Sequence, residues 1–177
     1  MEQKKLYFRR LEQHHERPIF DCGDSDLNEF FALDSKEGSA QLISVTYAVE
    51  TESNEVVCFF CLSNDAIRKQ DTSNKNFNKI RSKTGTRYSS LPAVKIGRLA
   101  TSKIYQSNGI GTQVLDYIKM WFTEGNKTGC RFIIVDAVNK EKTLNFYKRN
   151  GFSFLKEQSE PEDHTRLMFF DLLTFRR

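Results

Sequence analysis

Apolar and polar positions along this chain change period several times, from two residues to about 3.6 and back, which marks strands alternating with helices. KLYFRRL, residues 5–11, predicts a first strand. In CGDSDLNEFFALDSK, Leu27, Phe30 and Phe31 share one helical face, and Asp24 or Ser25 supplies the cap. QLISVTYAVET alternates with Ile43, Val45, Tyr47 and Val49 on one side, predicting a strand. EVVCFFCL is continuously apolar, the pattern of a central strand buried on both faces. AVKIGRLAT predicts another strand, and Ile110, Val114, Ile118 and Trp121 mark a helix after it. CRFIIVDAV reads as a buried strand, and KEKTLNFYKRN as a helix ended by a left-handed cap at Gly151. RLMFFDLL closes the series as a strand. With no internal repeat and no dividing linker, residues 1–177 are expected to form a single α/β domain.

A chain of 177 residues is long enough to bury a core, and its 38% apolar content with 15 phenylalanines argues against disorder. No apolar run approaches the ~18 residues that span a bilayer. The opening MEQKKLYFRRLEQHH is charged and lacks the apolar stretch of a secretory signal, so the expected location is the cytoplasm. Cys58 and Cys61 form a C-x-x-C inside a strand, where residues three apart point to opposite faces. They cannot share a metal ion or a bridge there, and Cys22 and Cys130 stand alone in sequence. Reduced structural thiols and no metal are expected.

The net charge is only +4, but it is unevenly placed. Arg68, Lys69, Lys75, Lys79, Arg81, Lys83 and Arg87 face Asp71 alone, so this segment carries more positive charge than the whole chain. The 68–88 stretch has no sustained period and reads as a long loop or a frayed helix. It is either a solvated surface or a docking site for a phosphate-rich molecule.

The most informative stretch is RLATSKIYQSNGIGTQVL, residues 98–115. A strand, a turn with Gly109 and Gly111, and then a helix leave backbone N–H groups unpaired at a helix N-terminus. Those amides and the helix dipole attract anions, and glycine allows a phosphate to approach the backbone. Gln106-Ser107-Asn108-Gly109-Ile110-Gly111 is therefore a candidate pyrophosphate cradle. It lacks the Lys-[Ser/Thr] ending of a P-loop and the G-x-G-x-x-G spacing of a dinucleotide fingerprint.

Gln-x-x-Gly-x-Gly between strand and helix, followed about forty residues later by NFYKRNGF, resembles the GNAT acyl-CoA N-acetyltransferases. The resemblance implies a mixed, mostly antiparallel sheet of about six to seven strands flanked by about four helices. It implies acetyl-CoA as acetyl donor and a primary amine as acceptor. Acetyl-CoA would lie along Leu99, Ala100 and Thr101 and over Gln106, Ser107, Asn108, Gly109, Ile110, Gly111 and Thr112. Tyr147, in the Phe146-Tyr147…Gly151-Phe152 motif, would stand near the thioester sulfur as general acid.

FDCGDSDLNEFF and LPAVKIGRLATSKIYQSNGIG are similar to one branch of that family, the toxin acetyltransferases. Members of that branch acetylate the amino acid of charged tRNA and are held in check by ribbon-helix-helix antitoxins. Charged tRNA bound through the 68–88 segment, such an antitoxin and a second copy of the chain are thus admitted as partners, with no membrane. Two departures stand out. Thr101-Ser102 replaces the usual Val-Asp, and Ser107-Asn108 replaces an arginine-rich cradle, leaving backbone amides to bear more of the anion binding.

No carboxylate lies on AVKIGRLAT to serve as general base, where Lys95 and Arg98 stand instead. His14, His15 and His164 are distant in sequence and read as surface or strand residues. An α-amino group, with a reference pKa of ~7.7–8.0 against ~10.4 for lysine, needs least help to lose its proton. The pattern favours such an amine, from an aminoacyl ester or a peptide terminus. A non-catalytic protein that binds CoA or a partner through the same fold is the alternative class.

Overall fold

The computed structural model describes residues 5–125, 128–156, 160 and 162–175. Its strands are β1 (Tyr7–Leu11), β2 (Val45–Glu50), β3 (Val56–Arg68), β4 (Ser90–Thr101), β5 (Phe132–Val138), β6 (Ser153–Phe154) and β7 (Thr165–Asp171). They form one mostly antiparallel sheet in the order β1-β2-β3-β4-β5-β7-β6. The helices are α1 (Ser25–Glu29), continued by a π turn (Phe30–Asp34) into α2 (Ser35–Ala40), then α3 (Asn74–Ser82), α4 (Ile110–Glu124) and α5 (Glu141–Arg149). This is the expected sheet with four helical runs. Chain contacts group into two compact units, Met1–Ser63 with Ile96–Val114, and Asn64–Lys95 with Leu115–Arg177.

In the first unit the Asp24 carboxylate accepts from the Asp26 and Leu27 amides, starting α1 where the sequence predicts. The helical face it directs inward delivers Phe31, whose ring stacks on Phe59 at 4.7 Å, with Phe20 edge-on at 5.2 Å. Phe31 and Phe59 are fully buried, each contributing about 1.5–3 kcal/mol of apolar burial. In the β2–β3 ladder Val49 opposes Cys58 and Thr46 opposes Cys61, an odd offset that puts the two thiols on opposite faces. All four cysteines are free. Burial pushes the Cys58 thiol up to about 12.

One expectation about β2 needs correction. The strand begins at Val45, and Ile43 is 70% exposed instead of joining a buried stripe. The Gly38 carbonyl accepts from the Ile43 and Ser44 amides, and Leu42 adopts φ 56, so this segment turns out of α2. Thr46 and Ala48 on the other face are fully buried, so β2 is covered on both sides and its alternation is not a burial signal.

In the second unit α3 brings Phe77 and Ile80 onto Ile67, Leu91, Phe132 and Leu155. Of the two readings of segment 68–88, the short helix holds in its middle: α3 spans Asn74–Ser82 and packs through Phe77 and Ile80. It is flanked by a 3-10 turn that carries Lys69 and by a turn and irregular chain that carry Lys83 and Arg87. β5 and β7 pair antiparallel from Phe132↔Asp171 to Val138↔Thr165. At one end Arg131 clamps Asp171, Nε to Oδ1 at 2.6 Å and Nη2 to Oδ2 at 2.9 Å. Gly151 (φ +83) ends α5 as predicted, and a Cβ there would meet the Phe170 ring at 2.9 Å. The chain then makes β6, two residues too short to show a period.

Candidate functional site

The first unit holds the end of β4, the turn that follows it and the first residues of α4. Ala100 is buried in the Phe31–Phe59 cluster, and Leu99 and Thr101 are half-buried beside it. Thr101 Oγ1 donates to Cys58 Sγ at 3.7 Å, and the Ser102 amide donates to the Val57 carbonyl at 2.9 Å. A single 3-10 turn, Lys103–Tyr105, leads into residues 106–109, which are exposed. The Tyr105 hydroxyl donates to Glu55 at 2.7 Å, which raises its pKa.

Ser107 (φ 64) and Gly109 (φ +77) are both left-handed. Glycine adopts this conformation without strain, whereas for serine it costs about 1–2 kcal/mol. Around Gly109 there is open space where a Cβ would stand, with nothing within 4 Å. Helix α4 begins at the next residue, and its first internal bond runs from the Gln113 amide to the Gly109 carbonyl at 3.1 Å. The amides of Ile110, Gly111 and Thr112 precede any intrahelical acceptor. No acidic residue stands in this first turn, so the positive end of the helix is not neutralised there.

Gln106, expected at the cofactor, uses its Nε2 to hold the turn: it donates to the Cys22 carbonyl at 2.7 Å and to the Thr101 carbonyl at 3.0 Å. Asp21 reaches the same turn, its Oδ2 accepting from Lys103 Nζ at 2.9 Å. Asp21 and Cys22 hold this turn and Asn28 in turn holds them, contacts that the sequence does not signal. The stretch FDCGDSDLNEFF contains all three, but nothing local to it says what they hold.

The second unit holds Tyr147 and the basic segment. Tyr147 is 6% exposed, flanked edge-on by Phe146 at 5.1 Å and Phe152 at 5.3 Å. Its carbonyl accepts from the Asn150 and Phe152 amides, both at 3.0 Å, which fixes the end of α5 through the NGF tripeptide. On β4, Lys95 pairs with Asp136 of β5 at 2.5 Å, so a carboxylate does stand beside this strand, supplied by its neighbour. Among the described residues no carboxylate pairs with Lys75, Lys79, Lys83 or Arg87, all of which are exposed. Tyr88 is 64% exposed. Beside α3 a cavity of about 520 Å³ is lined by Thr72, Asn76, Lys75, Lys79, Lys156 and Glu160.

His15 Nδ1 accepts from the Glu12 amide at 2.9 Å, and the His164 carbonyl accepts from the Asn139 amide. Both have local structural roles. Among the described residues no group of three or more His, Cys, Asp or Glu is placed to hold a metal ion, and no helix is long and apolar enough to cross a membrane.

A mostly antiparallel seven-stranded sheet whose fourth strand runs through a glycine turn into a helix defines the GNAT class of acetyltransferases. The chain belongs to that family: the family model described as Acetyltransferase (GNAT) domain matches residues 46–154. A tyrosine-to-phenylalanine mutant of KacT superposes with a TM-score of 0.77 at 22% identity, over 97% of each chain. AtaT complexed with acetyl-methionyl-tRNAfMet gives a TM-score of 0.76 at 21% identity, again over 97% of each chain. AtaTR bound with acetyl-CoA gives 0.74 at 21% identity, over 96% of this chain and 95% of that one. These likenesses show that the fold is shared.

Proposed function

We propose that the chain moves an acetyl group from acetyl-CoA to a primary amine by direct attack on the thioester. The observation that carries this reading is the exposed turn 106–109, opening onto the first amides of α4 with a left-handed glycine and no side chain in the way. Such a helix start suits a pyrophosphate, and the similar AtaTR is known bound with acetyl-CoA. Leu99, Ala100 and Thr101 would carry the pantetheine arm along their backbone.

Acetyl-CoA supplies a thioester carbonyl carbon and a thiolate leaving group. The incoming nitrogen forms its bond to that carbon, and the C–S bond breaks. A backbone N–H of Leu99 or Thr101 donates to the carbonyl oxygen as negative charge builds on it. Tyr147 gives its phenolic proton to the departing sulfur, a role suited to a hydroxyl of reference pKa ~10. The amine's own proton leaves to solvent most readily from an α-amino group, which favours an aminoacyl ester or a peptide terminus over a lysine side chain.

Within this reading, the amino group of aminoacyl-tRNA is the acceptor that a specific observation favours. The exposed cations of α3 and its following turn have no carboxylate partners among the described residues. AtaT, of the same fold, is complexed with acetyl-methionyl-tRNAfMet and, as a toxin, with the C-terminus of the antitoxin AtaR. Release of free thiol from acetyl-CoA in the presence of charged tRNA, peptides or lysine at pH 7.5 tests the proposal. Faster turnover of lysine than of α-amines would overturn the acceptor assignment. Binding of acetyl-CoA without turnover on any amine would favour the non-catalytic class.

A further inference from the structure

Two segments of the first unit, residues 21–28 and 101–106, are joined by hydrogen bonds that link positions as far as 84 residues apart in sequence. Asp21 binds Lys103 twice. Its carbonyl accepts from the Lys103 amide at 2.9 Å, and its carboxylate Oδ2 from Lys103 Nζ at 2.9 Å. The other carboxylate oxygen, Oδ1, accepts from the Gly23 amide at 2.8 Å and from Asn28 Nδ2 at 3.0 Å. Asn28 Oδ1 in turn accepts from the Cys22 amide at 2.9 Å and from the Cys22 thiol at 3.1 Å. The Cys22 carbonyl then accepts from Gln106, the first residue of the candidate cradle, whose same amide nitrogen also binds the Thr101 carbonyl.

The close fit extends to Gly23. It is left-handed (φ +87), and a Cβ there would lie 2.8 Å from Lys103 Cε. The Lys103 ammonium, with the Asn28 and Gly23 donors, holds the Asp21 carboxyl down to about 2, so the clasp stays charged at any physiological pH.

We infer that Asp21, Cys22 and Asn28 form a clasp that pre-shapes the 102–109 turn, and that Asp21 and Asn28 are positioning residues for acetyl-CoA. The inference rests on the reading that this turn holds the pyrophosphate. The turn contains a left-handed serine and a run of exposed residues, which left alone would sample many conformations. Ordering it before the donor arrives removes that cost from binding. Neither residue is proposed to touch the reacting atoms, so the clasp should act on affinity for acetyl-CoA and leave the chemical step alone.

The test uses the full-length chain with Asp21→Ala, Asn28→Ala and, in parallel, Gly109→Val. Acetyl-CoA affinity is read by calorimetry, KM and kcat by thiol release, and folding by thermal melting. Asp21→Ala and Asn28→Ala should raise Kd and KM for acetyl-CoA about tenfold with kcat at saturation unchanged. Asp21→Asn keeps an acceptor for Gly23 and Asn28 and should recover part of the loss. Asp21 is exposed, so its alanine variant remains a folded probe even where Asn28→Ala fails to fold. Unchanged affinity in both clasp variants beside a weakened Gly109→Val would overturn the clasp and spare the turn. Unchanged affinity in all three would overturn the turn and the clasp together. A loss confined to kcat would also overturn the clasp.

Discussion

Asn76 Nδ2 donates to the Leu155 carbonyl at 2.7 Å, tying helix α3 to the start of the β6–β7 connection. Thr72 Oγ1 donates to the same carbonyl at 2.5 Å. The most basic part of the chain is thereby fastened at its N-terminal end, with Phe77 and Ile80 buried beneath it. Asn76→Ala should cost about 0.5–1.5 kcal/mol in chemical denaturation. Thr72→Val with Asn76→Ala should cost more than the two changes summed, because only then is the buried carbonyl left without a donor.

Replacing Lys79, Arg81, Lys83 and Arg87 together with glutamine should weaken binding of charged tRNA. It should also flatten the salt dependence by about 0.7–0.9 log units per lost phosphate contact per tenfold salt. Acetyl-CoA affinity should not change, since the cradle lies on another element. Retained acetylation of charged tRNA with an unaltered salt slope would reduce this face to a solubilising one.

Gly109→Val forces a β-branched residue into φ +77 and fills the open space above the turn. The expected result is weaker acetyl-CoA binding by at least about tenfold, measured by calorimetry on the folded variant. Changes of side chain at Leu99 or Thr101 should matter less, because their proposed contacts are through the backbone.

Tyr147→Phe keeps the ring between Phe146 and Phe152 and removes the hydroxyl. Melting temperature and acetyl-CoA affinity should persist while kcat falls by ~10²–10⁴. Full activity would leave Tyr147 as a packing residue.

Two desolvated thiols, buried Cys58 and half-buried Cys130, make stability depend on alkaline pH. Burial raises Cys58 from 9.0 to about 12 and Cys130 to about 11. Above pH 9 the unfolded chain loses these protons first, so it binds fewer than the folded chain and stability declines with pH. The stabilisation should be complete below pH 9 and be lost progressively between 9 and 12, as the unfolded chain ionises first. Denaturation midpoints across that range, with Cys58→Ala as control, check the slope. Below pH 9 a thiol reagent should modify Cys58 only on unfolding.

Period, punctuation and chain order were enough to locate β3, α4 and α5, the left-handed stop at Gly151, and the glycine turn that opens α4. These are local matters: side-chain direction follows the period of the backbone, and glycine is the residue that adopts φ > 0 without strain. The opposite faces of Cys58 and Cys61 followed from the same rule. Where local signals conflicted, tertiary contacts decided. Ile43 continued an alternating pattern but was drawn into a turn by the Gly38 carbonyl. The 68–88 segment showed no period, yet Phe77 and Ile80 seat its middle, Asn74–Ser82, as a helix between turns. Ser107 took a left-handed conformation that its residue type disfavours.

What no reading of the chain order could supply is which distant groups meet. Lys95 finds its carboxylate on β5, and Gln106 finds the carbonyl of Cys22. A hydrogen bond leaves no period in the sequence, because each partner needs only to be polar and correctly placed once the sheet has formed. The motif residues Cys22, Gly23 and Asn28 were therefore visible as letters, and only the folded chain assigned them to the turn they hold.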